Sequence, residues 1–219
     1  MIVAVEKPMS FDEFVAWLPQ DRRYELIDGI VVEMQPTGDH ESVSDFLRIQ
    51  FTLESHRLTL PYSFPSRALL KAPGWNTAYL PDVLVLDKLA LVNEPRRQRK
   101  ATISKGSTVK LVVEVVSTNW ETDYARKLED YETMGIAEYW IADYLGLGGK
   151  KYIGFPKQPT LSVYTLTENG EYQVKLFRGG DRISMVFPLK QRVKLSSIHY
   201  SLLLMQVLLR VSRERLLSE

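Results

Sequence analysis

One short segment limits the folds open to this chain: residues 111–117, with the sequence Leu-Val-Val-Glu-Val-Val-Ser. Its nearly continuous apolar run is typical of a β-strand that is buried on both faces of a sheet. Glu114 lies in the middle of the run. A buried carboxylate loses its hydration, which is costly unless another group pairs with it. The segment therefore predicts a central strand and a positive partner for Glu114, for which a metal ion is the simplest choice.

The composition bounds the class of protein. With 219 residues, 45% of them hydrophobic, the chain can bury a full core, and we interpret residues 1–219 as one domain. The absence of cysteine excludes disulfides, thiolate metal sites and a cysteine nucleophile. A formal net charge of +1 neither supports nor excludes nucleic-acid binding. We see no signal peptide, and the apolar run at residues 200–211 is too short and too interrupted for a membrane span. We therefore expect a cytoplasmic protein without a membrane partner.

The rest of the chain mixes helix and strand patterns. Helix patterns occupy residues 10–19, 40–54, 122–134 and 196–217. Strand patterns occupy residues 24–34, 62–71, 79–87, 111–117, 138–143 and 161–177, and the first and last of these fold back at Asp28-Gly29 and Asn169-Gly170. This order predicts an α/β (α+β) fold: a mixed central β-sheet flanked by helices, with an N-terminal hairpin and a C-terminal hairpin plus helix. The crossover helix predicts that the strands of Glu114 and Trp140 are parallel.

A second acidic residue lies within an apolar segment. Asp82 falls within the segment Leu-Pro-Asp-Val-Leu-Val-Leu at residues 80–86. If this strand and the Glu114 strand are neighbours, the two carboxylates converge. Oxygen ligands without a histidine or cysteine cluster favour Mg²⁺ or Mn²⁺ over zinc. One buried acid is often structural, whereas two on separate buried strands favour a metal site.

A lysine follows on the next predicted helix. A projection at 100° per residue places Tyr124 and Tyr131 on the inward face, and Lys127 at its edge. Lys127 could extend its aliphatic stem over the core with its charge in water. It could equally be an ammonium held beside the two carboxylates, where it would orient a water or neutralise developing charge. The periodicity leaves both interpretations open.

Several motifs together resemble one family. The chain is similar to the Uma-two family of restriction-endonuclease-like proteins, within the PD-(D/E)XK nucleases. The matching motifs run in the family order: Tyr24-Glu25-Leu26-Ile27-Asp28-Gly29, His40, Pro81-Asp82-Val83, Glu114-Val115-Val116-Ser117, Lys127, Tyr131, Gly135 and Glu138-Tyr139-Trp140. The resemblance covers roughly residues 10 to 190 and implies a restriction-endonuclease-like core. The nuclease motif has a lysine two residues after the glutamate, where this chain has Val116; the resemblance implies that Lys127 takes its place.

The resemblance also implies roles for two further residues. Glu25 becomes an additional metal or water ligand, although an acid on an edge hairpin is equally expected at the surface. His40 becomes an active-site candidate, although a histidine in the first turn of a helix, here after a predicted N-cap at Asp39, is usually solvated.

The resulting hypothesis is a Mg²⁺- or Mn²⁺-dependent endonuclease acting on DNA, with no small-molecule cofactor. Asp82 and Glu114 hold the metal, and Lys127, Glu25 and His40 complete the site. Scission of both strands implies a homodimer, for which residues 202–209 offer an apolar surface. Four basic residues within the polar segment 94–106 contact phosphates or are simply solvated: Arg96, Arg97, Arg99 and Lys100. The rivals are a non-catalytic nucleic-acid- or protein-binding module, and a structural protein whose acids pair with Arg67 or Arg126; RNA as substrate also remains open.

Overall fold

The part of the chain that the structure describes folds into two β-sheets with four α-helices along them. The computed structural model describes residues 7–74, 76–97, 101–179 and 181. The helices are α1 (Phe11–Trp17), α2 (Gly38–Arg57), α3 (Leu128–Thr133) and α4 (Lys150–Ile153). The strands are β1 (Arg23–Ile27), β2 (Ile30–Met34), β3 (Tyr62–Ser63), β4 (Leu69–Lys71), β5 (Ala78–Tyr79), β6 (Val83–Asp87), β7 (Thr102–Ile103), β8 (Val109–Val115), β9 (Glu138–Asp143), β10 (Thr160–Leu166) and β11 (Tyr172–Phe177). Three non-α turns complete the elements: 3₁₀ helices at Ala90–Asn93 and Gly106–Thr108, and a π-helical turn at Thr122–Lys127.

The larger sheet has the strand order β11-β10-β9-β8-β6-β3, with the Glu114 strand β8 inside it. Six of the seven residues of β8 are buried, as its apolar run predicts. β6 runs antiparallel to β8, with Val83 opposite Val113, and β9 runs parallel, with Glu114 opposite Ile141. The parallel pairing across the crossover helix confirms the sequence prediction. Because Asp82 directly precedes Val83, the register brings it beside Glu114.

The two faces of β8 pack on different layers, since side chains alternate along a strand. Leu111, Val113 and Val115 join a core cluster that includes residues of α2. Val112 and Val116 join a second cluster on the opposite face, which contains Tyr131 and other aromatic residues. Glu114 therefore points to the same face as Val112 and Val116, towards the helix that carries Lys127.

A mixed central sheet is present as predicted, and a smaller second sheet, of order β2-β1-β5-β4-β7, contains the predicted N-terminal hairpin. The two long strands predicted at residues 62–71 and 79–87 are each divided, and their parts belong to different sheets. Pro65 and Pro81 lie at the breaks. Proline cannot donate a ladder hydrogen bond, so an apolar run that contains it does not continue as one interior strand.

The segment 94–106, predicted as a solvated loop, is anchored near its ends. The Glu94 carboxylate accepts hydrogen bonds from the backbone amides of Ser104 and Lys105, at 3.0 and 3.1 Å. β7 pairs in parallel with β4. Gly106 packs so tightly that an added Cβ would lie 1.9 Å from the Met134 carbonyl oxygen. The segment is therefore part of the packed structure on both sides of residues 98–100.

Two further sequence predictions need correction, and one is untested. Thr37, rather than Asp39, caps α2, and its side chain accepts a hydrogen bond from the His40 amide at 3.3 Å. The predicted loop after β9 contains the short helix α4. The predicted helix at 196–217, with its candidate interface at 202–209, lies outside the described residues. In the part of the chain that the structure describes, no helix is long and apolar enough to cross a bilayer.

Candidate active site

Four carboxylates from four different elements converge between the two sheets, and we call them the carboxylate cluster. Glu25 comes from β1, Asp82 from the residue before β6, Glu114 from β8 and Asp123 from the π-helical turn. Each of these residues is at most 5% exposed. Acids are almost never buried so completely without a paired charge. The convergence of four buried acids therefore requires positive charge at the same place.

Lys127 supplies part of that charge from the centre of the cluster. It is 1% exposed, and its Nζ atom lies 3.2 Å from Glu25 Oε1, 3.2 Å from Glu114 Oε2 and 3.3 Å from Asp123 Oδ1. Burial alone would lower the pKa of Lys127, but the charges of these acids outweigh it and hold the pKa well above its usual value. Lys127 is therefore a permanently charged ammonium, and the snorkelling interpretation of the sequence is wrong.

The π-helical turn positions two members of this arrangement. Asp123 and Lys127 both lie in the turn at Thr122–Lys127, one helical turn apart, so that their side chains meet. The hydroxyl of Tyr139, on β9, donates to the backbone carbonyl of Asp123 at 3.0 Å. Such π-turns occur mostly as single insertions inside α-helices, frequently at functional sites. The turn thus directs the lysine into the cluster at the point where the helix crosses β8.

Glu114 has a second partner besides the lysine. The hydroxyl of Tyr131, a residue predicted on the inward helix face, donates to its Oε1 at 2.7 Å. Burial raises the pKa of Glu114 to about 8; the Lys127 charge opposes this rise and the neighbouring acids add to it. Burial likewise raises the pKa of Asp123 to about 6. Both pKa values rise mainly because the acids are buried, and the charge of Lys127 offsets this effect only in part.

Asp82 is held by a separate set of donors. Its Oδ2 accepts from the Val115 amide at 2.8 Å and lies 3.1 Å from His40 Nε2, while Arg23 Nη2 lies 3.4 Å from Oδ1. Burial would raise the pKa of Asp82, but the His40 hydrogen bond and charge, with the Val115 bond, lower it below the usual value. Asp82 is therefore ionised at neutral pH and fixed in orientation.

His40 touches the cluster through Asp82. It is 5% exposed rather than solvated, because the Thr37 cap turns the first turn of α2 inward. Burial lowers the pKa of His40, but the hydrogen bond to Asp82 outweighs it, and the net shift is upward. Within the described residues its Nδ1 atom has no hydrogen-bond partner. His40 is therefore suited to hold Asp82 and to carry a proton beside it.

A cleft of about 390 Å³ gives access to this end of the cluster. Asp82, His40 and Arg23 line its inner part. Residues 32–36 of the hairpin strand β2 and the segment after it form one wall, and residues 117–119 after β8 form the other. The cleft therefore leads from the surface to Asp82.

The structure thus brings Glu25, Asp82, Glu114 and Lys127 together, and His40 joins them through Asp82. Sequence analysis missed Asp123 and Arg23. Asp123 was detectable, because it lies four residues before Lys127 and such pairs share one helix face. Arg23 carried no signal, since only the pairing of β1 with the rest of the fold places it beside Asp82.

The two predicted nucleic-acid-binding residues that the structure describes, Arg96 and Arg97, lie elsewhere. Arg96 forms an ion pair with Asp12, and its guanidinium lies 5.3 Å from the centroid of the Phe11 ring. Arg97 lines a different cavity together with Arg67. Arg99 and Lys100 lie outside the described residues, and a phosphate-binding role for the four stays a prediction.

The structural rival, in which arginines neutralise the acids, assigned the wrong partners. Arg67 donates to the backbone carbonyl of Gln20, and Arg126 forms two hydrogen bonds with the Asp28 carboxylate, at 2.6 and 2.5 Å. Arg126 thereby ties the helix to the hairpin turn instead of entering the cluster.

The donor set fits a divalent cation that keeps several waters better than a metal ion enclosed entirely by protein ligands. Among the described residues, no group of three or more acids and histidines is arranged as a ready metal site. Mg²⁺ usually takes only one or two carboxylates and keeps several waters. Asp82 and Glu114 provide that number. Burial raises the pKa values of Glu114 and Asp123, and a bound cation would stabilise their ionised forms.

The fold is that of nuclease-like α/β proteins. The structure is similar to a crystal structure described as "a putative nuclease belonging to DUF820 from Anabaena variabilis ATCC 29413", with a TM-score of 0.59 and 14% identity; the match covers 92% of this chain and 99% of that one. The model of the Uma2 family, described as "Putative restriction endonuclease", matches residues 11–196. The chain belongs to this family. A comparison with curated proteins gives no significant match.

Proposed function

We propose that this protein is a metal-dependent endonuclease that hydrolyses phosphodiester bonds of DNA. The observation that carries the proposal is the carboxylate cluster, in which four buried acids converge and three of them contact one buried ammonium. Even with His40 protonated, Lys127, Arg23 and His40 provide three positive groups for four acids, and a bound metal ion would add the further positive charge. The family description supports the same class of reaction.

In this proposal Asp82 and Glu114 hold Mg²⁺ or Mn²⁺. When bound, such an ion supplies a water of lowered pKa and polarises a phosphoryl oxygen. Asp82 is ionised and fixed by three donors, so it offers a preorganised ligand. Glu114 is oriented by the Tyr131 hydroxyl through one oxygen and by Lys127 through the other.

The remaining residues of the site stabilise negative charge on the substrate or hold the metal ligands in position. Lys127, held by Glu25 and Asp123, offsets negative charge that develops on the phosphoryl group or orients the attacking water. His40 keeps Asp82 in place. Two copies of such a site are needed to cut both strands of a duplex, so the proposal includes a homodimer.

One observation favours a second candidate, a non-catalytic nucleic-acid- or protein-binding module on the same fold. The Lys127 ammonium already contacts three of the four acids, so the cluster is partly neutralised by the chain itself. Such a module predicts that divalent ions leave its stability unchanged, whereas a metal site gains stability by mass action.

The test is cleavage of plasmid and linear DNA with Mg²⁺ or Mn²⁺ by the wild type, Glu114→Gln and Glu138→Gln. Glu138 is the matched control, because it is equally buried but lies outside the cluster, with its Oε1 bonded to Trp140 Nε1 at 2.7 Å. We expect metal-dependent cutting by the wild type and by Glu138→Gln, and a loss of at least about 100-fold in Glu114→Gln.

Thermal stability with added Mn²⁺ distinguishes a metal-dependent nuclease from a binding module without a metal site. A folded wild type that neither cuts nor gains stability with metal contradicts the proposal and favours the binding module. A gain in stability without cutting supports the metal site and contradicts DNA hydrolysis under those conditions.

A further inference from the structure

A group of aromatic rings and lysines, which we call the lysine–aromatic patch, surrounds the short helix α4. Its members share a position near the surface, and they are Trp120, Lys150, Lys151, Tyr152, Phe155 and Lys157. Each lysine ammonium lies over the face of one of the three rings, 4.8 to 5.9 Å from its centroid. Phe155 is 79% exposed. A large apolar ring this exposed has no role in the core of the described fold.

The rings of the patch are supported from below. Tyr152 stacks on Tyr124, with centroids 4.9 Å apart and ring planes 27° from parallel. Trp120 lies so close to Gly149 that an added Cβ would be 3.0 Å from its ring. Two of the three rings are therefore held in place before any partner arrives, which reduces the entropy lost on binding.

The patch is continuous with the opening of the active site. Asn119 lines the cleft beside Asp82, and Trp120 is the next residue in the chain. Tyr124, on which Tyr152 stacks, directly follows Asp123 of the carboxylate cluster. A partner that lies along the patch is thereby led to the cleft.

We propose that the patch binds a nucleic-acid strand with unpaired bases. This deepens, and rests on, the proposed nuclease function. Lys150 and Lys157 turn from the faces of Phe155 and Trp120 to pair with phosphates, and bases stack on these two rings in their place. Tyr152, already stacked on Tyr124, supports the patch from below. Lysines interleaved with aromatic rings are the composition that binds single strands, because every base has a face to stack on and the backbone is a polyanion.

The surrounding charges indicate which side of the patch the strand uses. Glu129 and Glu132 share a cavity with Lys151 and Tyr152 and would repel a polyanion. Lys150, Phe155 and Lys157 do not line the cavity that contains these two acids. The strand therefore follows Phe155 towards Trp120.

The test is a fluorescence anisotropy titration of a labelled oligo(dT) and of a mixed-sequence duplex, without metal, in the Glu114→Gln background. We expect Phe155→Ala to weaken binding of the single strand about 10-fold, the loss of one stacked base, and to change binding of the duplex less than about 2-fold. Lys175→Ala is the matched control: its ammonium also lies over a ring, 5.0 Å from the centroid of Phe177, but that ring is buried.

The salt dependence supplies a second measure. Replacing both Lys150 and Lys157 by alanine should reduce the slope of log Kd against log salt by about 1.4, since each phosphate contact on a single strand contributes about 0.7. An unchanged affinity in Phe155→Ala, an equal loss in Lys175→Ala, or an equal loss for the duplex overturns the proposal. Absence of nucleic-acid binding also overturns it and leaves an acidic protein as the partner that fits the lysines.

The two proposals fail separately, because the titration needs neither metal nor catalysis. Cleavage by the wild type together with unaltered binding in the patch variants would contradict nucleic-acid binding by the patch and would still support the nuclease function. A selective loss of binding in a protein that cuts no substrate would support the patch and contradict the nuclease function.

Discussion

The Nζ atom of Lys127 and the Oε2 atom of Glu114 lie 3.2 Å apart, although one side chain comes from a helix and the other from the centre of a buried strand. Both residues are almost fully buried. Neither charge can be removed without leaving the other in a medium of low polarity, so the stability of this fold and the chemistry of its site depend on the same pair.

Replacement of Lys127 by methionine should therefore destabilise the protein, by about 3–5 kcal/mol at pH 8, because three carboxylates lose their shared cation. At pH 5 the loss should be smaller, since Glu114 and Asp123, whose pKa values are raised to about 8 and 6, are then neutral. Urea unfolding at both pH values measures the difference.

Lys110→Met is the control for this prediction. Lys110 pairs with a single acid, Asp87, at 3.2 Å, and its side chain is 20% exposed, so its loss should cost less than about 1 kcal/mol. Equal costs for the two variants at pH 8 would show that Lys127 is not a central cation of the cluster.

Tyr131→Phe should raise the pKa of Glu114 further, because it removes the hydroxyl that donates to Oε1 at 2.7 Å. We expect a loss of about 1–3 kcal/mol in unfolding free energy and a shift of the cleavage pH profile to higher pH. Tyr172→Phe is the control. It also deletes one hydroxyl donor, but that hydroxyl bonds to the Ile136 carbonyl at 2.8 Å and not to a member of the carboxylate cluster. The same pH shift in both variants would rule out a role of Tyr131 in orienting Glu114.

Glu138 should make the stability of the protein depend on pH. Burial raises its pKa to about 7, against a hydrogen bond from Trp140 that lowers it, and among the described residues its Oε2 has no partner. Below about pH 4.5 the group is protonated in both states and costs nothing. Between about pH 4.5 and 7 the unfolded chain releases the proton first, so the unfolding free energy falls, by about 3 kcal/mol in total. Above pH 7 the penalty is constant.

Glu138→Gln should abolish this fall, and the difference between the wild-type and variant stability curves measures it. Glu168→Gln, at an exposed position in the β10–β11 turn, should leave the curve unchanged. A difference curve without a slope between pH 4.5 and 7 would mean that Glu138 is ionised in the folded protein.

Gly106→Ala should destabilise the protein by about 2 kcal/mol or more, because the new Cβ would meet the Met134 carbonyl oxygen at 1.9 Å and the backbone must move. Gly38→Ala, at the start of α2, has no heavy atom within 4 Å of the new Cβ and should change stability by less than about 0.5 kcal/mol. Thermal unfolding of both variants tests whether the segment at Gly106 packs against the C-terminal end of α3 at Met134.

The central strand and its acid are predictable from sequence, because a continuous apolar run around one carboxylate leaves few alternatives. The convergence of Asp82 and Glu114 follows once β6 and β8 are neighbours. Helical periodicity places Lys127 at the edge of the inward face but does not decide between a solvated and a buried ammonium. Glu25 is different: its neighbours in sequence fit a surface hairpin as well as a buried one. Only the pairing of β1 with β5, which sets Leu26 opposite Ala78, makes Glu25 part of the cluster.

The errors share a physical cause. Strand patterns at residues 62–71 and 79–87 correctly identify apolar extended chain, but the choice between one sheet and two depends on contacts distant in sequence. The inward position of His40 depends in the same way on Thr37 being the cap. The residues that surround Asp82 come from β1, α2 and β8. Their contacts join segments distant in sequence, so a local sequence pattern does not predict them.

The π-helical turn has a consequence for how this gene can vary. A π-turn contains one more residue than an α-turn, and each residue of an α-helix adds about 100° of rotation. Loss of a single codon just before Asp123 would let the turn relax into an α-helix and would rotate Lys127 away from the acids. Such a deletion should therefore be as damaging as loss of the lysine itself, whereas the same deletion in the exposed turn at residues 167–170 would only shorten a hairpin.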